Sequence, residues 1–95
     1  WYPPLSSLVR LLYLHENPRR AEWEAHEMHA LLERRTAALG LPQVDILGAA
    51  PAFFSRERGK WRWQILLRGD DPAAAIRGLQ LPRGWRIDVD PTSTL

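Results

Sequence analysis

The chain has no cysteine in its 95 residues. That absence excludes a disulfide scaffold, a Cys-ligated zinc site, an iron–sulfur cluster and a thiol nucleophile. Long apolar runs are also missing: Arg10 interrupts Leu8–Leu14 and Pro51 interrupts Leu47–Phe54. Both fall well short of the roughly 18 residues a membrane span needs. The opening Trp1-Tyr2-Pro3-Pro4 has neither the basic start nor the apolar segment of a secretory signal. With no initiator Met, the chain reads as a piece of a longer protein. The glycines at 40, 48, 59, 69, 78 and 84 are spaced as turn formers, so no loop is built to cradle phosphates. Ser6, Ser7, Ser55 and Ser93 fall in turns or near the ends, and none sits in a Gly-x-Ser-x-Gly elbow.

What remains is an ordinary globular composition, 45% hydrophobic and 25% charged, long enough for one domain over residues 1–95. A chain of this size buries about 60% of its unfolded surface, which gives a real but shallow core. The net charge is only +2, yet residues 56–68 carry Arg56, Arg58, Lys60, Arg62 and Arg68 against Glu57 alone. A focused patch of that kind is a candidate anion site; a uniform excess would not be.

Residues 5–15 alternate as a strand, with Val9, Leu11 and Tyr13 on one face and Leu8, Arg10, Leu12 and Leu14 on the other. Asn17-Pro18 is a helix start, since Asn is a favoured cap and Pro suits the first helical position. The helix runs to Leu39 and stops at Gly40, with Pro42 beyond. Ala21, Ala25, Met28, Leu32 and Leu39 share its inward stripe, and Arg35 falls on the same stripe and must snorkel. Residues 43–48 form a short second strand and 49–59 a loop. Residues 60–68 form the clearest strand, with Trp61, Trp63, Ile65 and Leu67 alternating against Arg62, Gln64, Leu66 and Arg68. Asp71-Pro72 starts about two turns of helix over 73–79, and 85–90 closes as a strand with Trp85, Ile87 and Val89 on one face. The order β-α-β-β-α-β predicts an α+β fold: a ferredoxin-like βαββαβ sandwich, one four-stranded antiparallel sheet with two helices on one face. Arg62, Gln64, Arg68 and Arg86 then share the open face.

The strongest chemical signal is the run from Arg56 through Arg58, Lys60, Trp61, Arg62 and Trp63, where cations interleave with large aromatics. Cations neutralise phosphates and aromatics stack on bases. Strand parity makes both Trp side chains core residues, leaving Arg56, Arg58, Lys60, Arg62 and Arg68 as the nucleic-acid candidates. Phe53-Phe54 precede them and serve either internal packing or base stacking. Trp23 lies on the far side of the first helix near Arg34, as a docking surface for a neighbouring domain or as an indole lying over that Arg. Glu22, His26, His29 and Glu33 form an ordinary solvated helix face, with no third His or Cys to complete a metal site. Asp88 and Asp90 pair with a nearby cation such as Arg62 or Arg86.

Three stretches resemble the C-terminal domain of primosomal protein N′, the PriA replication-restart helicase family. They are residues 3–11 (PPLSSLVRL), residues 46–52 (ILGAAPA) running through 58–67 (RGKWRWQILL), and residues 85–91 (WRIDVDP). They occur in family order and span nearly the whole chain. The resemblance implies a parent that is an ATP-dependent 3′-5′ DNA helicase of DEAH type, using ATP, Mg and Zn outside these residues, in the bacterial cytoplasm near the nucleoid. For this domain it implies no cofactor, binding of forked or single-stranded DNA, packing against the remaining helicase domains, and contact with primosome proteins and the single-stranded DNA-binding protein in some members. The Arg and Gln that some members place on the second helix for that protein's tail have no counterpart here, where Pro72-Ala73-Ala74-Ala75-Ile76 stands. That contact is not carried over.

The sequence therefore leads to a non-catalytic DNA-binding and interdomain-docking domain. The rival from another class is a purely structural module whose Arg side chains face acids on the parent. A small acylphosphatase-like enzyme lacks its anion loop, since His15-Glu16-Asn17-Pro18 offers none.

Overall fold

The computed structural model describes residues 7–41 and 43–89, apart from the side chains of Ser7, residues 53–57 and Val89. Its elements are β1 (Ser7–His15), α1 (Pro18–Leu39), β2 (Asp45–Glu57), β3 (Lys60–Gly69), a 3-10 turn (Pro72–Ala75) and β4 (Trp85–Val89). The strands form one sheet in the order β2-β3-β1-β4, with every neighbouring pair antiparallel. β3 therefore slots between β1 and β2, which is the split βαβ of a ferredoxin-like fold.

Local stereochemistry sets both ends of α1. Asn17 has extended backbone, and its Oδ1 accepts the Arg20 N–H at 3.0 Å, with Pro18 in the first turn. At the other end Gly40 takes the left-handed φ of 68°. The Leu41 N–H then reaches back to the Thr36 carbonyl at 2.9 Å, and the Gly40 N–H to that of Ala37 at 3.3 Å. Both bonds of the glycine-terminated cap are thus made. Ala21, Ala25, Met28 and Leu32 are buried as their spacing predicts. The stripe ends at Thr36 rather than Leu39. Thr36 is buried with its hydroxyl donated to the Glu33 carbonyl, while Leu39, the last helical residue, is 52% exposed.

α1 covers one face of the sheet, over Val9, Leu11 and Tyr13 of β1 and Ile65 and Leu67 of β3. Trp61 and Trp63 lie on this same face, half-buried against the core, and the Trp63 ring meets His26 of α1 at 5.5 Å. On the opposite face Leu8, Leu14 and Leu66 are half-buried among Arg10, Arg62 and Arg86. Leu12, in its centre, is only 4% exposed. That face is thus more apolar than the Arg-lined surface the alternation suggests.

Two elements differ from the sequence expectation. The stretch after Gly48 is strand, not loop. β2 continues to Glu57 as the edge partner of β3, with register breaks between Gly48 and Ala50 and between Pro51 and Arg56. Those breaks accommodate Pro51, which only an edge strand or a bulge tolerates. The second helix, expected over two turns, is the single 3-10 turn Pro72–Ala75 followed by i to i+3 turns. Gly78 has φ 81°, and Arg35 of α1 claims the carbonyls that a longer helix would use. Its Nε donates to Ala75 O at 2.8 Å and its Nη2 to Arg77 O at 2.6 Å. The expected snorkelling of Arg35 thus becomes a tie between α1 and the turn. The shortened element leaves Ile87 on the inner face of β4 at 49% exposure. Among the described residues no helix is long and apolar enough to cross a membrane.

Candidate nucleic-acid interface

The basic segment forms the β2–β3 hairpin. Glu57 pairs with Lys60, leaving Arg58-Gly59 as a two-residue connection. Both connecting residues have positive φ, 52° and 79°. This is the primed turn whose twist suits a hairpin, and it normally takes Asn or Gly at its first position. Here an arginine occupies that position. Arg58 and Lys60 are exposed and make no ion pair among the described residues.

At the foot of the hairpin, Arg58, Lys60 and Arg86 line a cleft of about 370 Å³ with Leu14, Gly84 and Trp85. The sheet order explains the convergence. β1 ends between the start of β3 and the start of β4, so cations from both flanking strands meet at one end of the sheet. Arg86 was not among the residues expected here. Strand parity placed it on the open face, but only the strand order brings it beside Lys60. Arg62 lies one step inward, opposite Leu14, and is half-buried.

The other expected residues lie apart. Arg68 is at the far end of β3, roughly 26 Å along the strand from Lys60, and pairs with Asp45 of β2 at 3.3 Å. Arg56 pairs with Trp61 through the backbone. Its side chain and those of Phe53 and Phe54 lie outside the described residues. Asp88 pairs with Arg10 at 2.7 Å, because β1 sets Arg10 directly opposite it. Asp90 lies outside the described residues. Trp23 is 54% exposed, and its cationic neighbour is Arg20, 5.3 Å from the ring centre, not Arg34. Arg34 follows eleven residues later, about 16 Å along the helix.

A second, smaller cleft opens at the same end of the sheet on the helix side. It has a volume of about 280 Å³ and is lined by Pro18, Arg19, Glu22, Pro51, Trp61 and Trp63. Of the helix histidines, His26 Nδ1 lies 2.9 Å from the Glu22 carbonyl oxygen and His29 pairs with Glu33 at 3.1 Å. No three metal-ligating side chains converge among the described residues.

Burial raises the Tyr13 phenol above its ordinary range. The Glu24 carboxylate adds to that effect, and hydrogen bonding and charge from Arg20 oppose it.

The comparisons with known proteins cover nearly the whole chain. A family profile described as the primosomal protein N C-terminal domain matches residues 1–92. The Replication restart protein PriA of Treponema pallidum is 31% identical over 99% of this chain and 15% of its own length. The Probable replication restart protein PriA of Deinococcus radiodurans is 31% identical over 99% of this chain and 10% of its own. The Replication restart protein PriA of Synechocystis is 33% identical over 97% of this chain and 11% of its own. The chain thus spans only a small share of each relative. By the profile match and by the order in which its motifs build hairpin, sheet and closing strand, the chain belongs to the primosomal protein N C-terminal domain family.

Proposed function

We propose that this chain is the non-catalytic DNA-binding and docking domain of a replication restart protein, acting on forked or single-stranded DNA beside the helicase domains of its parent. The observation that carries the reading is the cleft of Arg58, Lys60 and Arg86 at one end of the sheet. Its cations come from the hairpin turn, β3 and β4 and sit at an exposed rim. Arg58 adds a second support, since an L-residue held in the left-handed region costs energy that asparagine or glycine would largely avoid. The mechanism is electrostatic: the hairpin and Arg86 neutralise phosphates and release counterions. Trp23 supplies the exposed aromatic for docking. Primosome proteins are further partners under this reading, in the bacterial cytoplasm.

The test is a double variant, Arg58→Asn with Lys60→Ala. Asparagine accepts the turn geometry, so the fold is retained while two cations are removed. Fork and single-stranded DNA should bind more weakly, with a salt slope shallower by about 1.4 at roughly 0.7 per phosphate on single strands. Unchanged affinity and slope would exclude the cleft.

One observation favours a purely structural role for the open sheet face. Its Arg10 and Arg68 are already engaged by Asp88 and Asp45, and leucines lie between them. This face suits protein better than phosphate. Hydrogen exchange on the parent protein without DNA should show protection of β1 and β4 there, with the hairpin unprotected. Protection of the hairpin without DNA would favour the structural reading for the whole domain.

A further inference from the structure

We propose that the cleft between the start of α1 and the start of β3 receives one unpaired base of the bound strand, an inference that rests on the DNA-binding reading above. Trp61 and Trp63 present their indoles there, with Pro18 and Pro51 completing apolar walls and Arg19 and Glu22 at the side. The two indoles are half-buried. Trp63 is steadied by the His26 ring at 5.5 Å, so one wall is pre-organised. The volume, about 280 Å³, lies at the small end for ligand sites, which suits one planar group rather than a longer segment.

Charge separates this cleft from its basic neighbour. Glu22 sets a carboxylate against Arg19 in its lining, so the cleft carries no net charge to hold a phosphate, while a base amino group finds an acceptor. Among the described residues the neighbouring cleft is lined by three cations and no acid. The two share the start of β3, where Lys60 lines one and Trp61, the next residue, lines the other. Strand alternation turns consecutive side chains to opposite faces. A nucleotide chain crossing this end of the sheet therefore leaves its phosphates on the cationic side and turns a base toward the indoles. Stacking makes the site tolerant of base identity, and Glu22 biases it toward bases with an exocyclic amine.

The experiment uses single-stranded decamers carrying one 2-aminopurine, whose fluorescence falls on stacking, together with matched decamers of dC, dT and abasic sugar-phosphate. The chain should quench the probe, bind dC more tightly than dT, and bind the abasic decamer about tenfold more weakly than dC, a loss within the range of one base–aromatic stack. Trp61→Leu should abolish the quenching. Glu22→Gln, on the exposed helix surface and harmless to folding, should narrow the dC-to-dT difference. The Arg58→Asn, Lys60→Ala variant should bind less tightly yet quench fully at saturation. DNA binding with no quenching, or quenching that survives Trp61→Leu, would overturn the base site while leaving the phosphate reading intact. Equal affinity for the abasic and dC decamers would do the same. Failure to bind any decamer at low salt would remove both. A proline-rich decapeptide that occupies the cleft in a Trp61-dependent manner while DNA does not would replace the base with a peptide.

Discussion

At the scale of single residues, the least expected placement is Arg58 at the first position of a primed turn. The sequence shows the charge but not the backbone, because positive φ at a non-glycine is set by the pairing of Glu57 with Lys60 across the hairpin. Tyr13 shows a different dependence: alternation leaves both faces of β1 apolar, and its burial follows from the packing of α1 over its side of the strand. Its phenol is held in the protonated form by desolvation, with Glu24 reinforcing it. Because the folded-state value is raised, the contribution to stability is complete below the ordinary tyrosine range. It is lost as pH climbs from about 10 through the folded value, where the unfolded chain releases its proton first. Chemical denaturation between pH 9 and about 11.5 should therefore show a decline that is smaller in Tyr13→Phe.

At the scale of elements, the 3-10 turn depends on one side chain from forty residues earlier. Arg35 donates to two of its carbonyls. Arg35→Met keeps the aliphatic stem and leaves those carbonyls without a donor. The expected loss is about 1–3 kcal/mol in urea unfolding, with faster amide exchange at Ile76 and Leu79. This dependence explains what the sequence disclosed and what it concealed. α1 was readable at both ends because Asn17-Pro18 and Gly40 act through their own backbone. The helix expected after Asp71-Pro72 carried an equally good start signal, but its length was decided by Gly78 and by a contact outside the local window. Gly48 and Pro51 look like loop residues, so the local pattern ends β2 early. Pairing with β3, a nonlocal event, carries the strand through two register breaks. The candidate site divides the same way: Arg58 and Lys60 announce themselves by local charge density, while Arg86 joins them only through the strand order.

At the scale of the whole molecule, a net charge of +2 is too small to hold DNA by a general field, so the proposed DNA binding must rest on the cleft and its surroundings. Three or four neutralised phosphates correspond to slopes of log affinity against log salt of about −2 to −3 on single strands and about −3 to −4 on duplex. Titrations across a range of salt concentrations should give those values, and a slope near zero would contradict an electrostatic mechanism. The two rims of the sheet bear on how such a domain behaves when many copies crowd together. One rim, β2, is kinked twice and carries Pro51; the other, β4, covers five of the described residues and holds Arg86 and Asp88. Among the described residues neither offers the long, flat, unguarded ladder on which a stranger's backbone can zip. Copies brought side by side at high concentration therefore stay separate bodies instead of knitting into a continuous sheet.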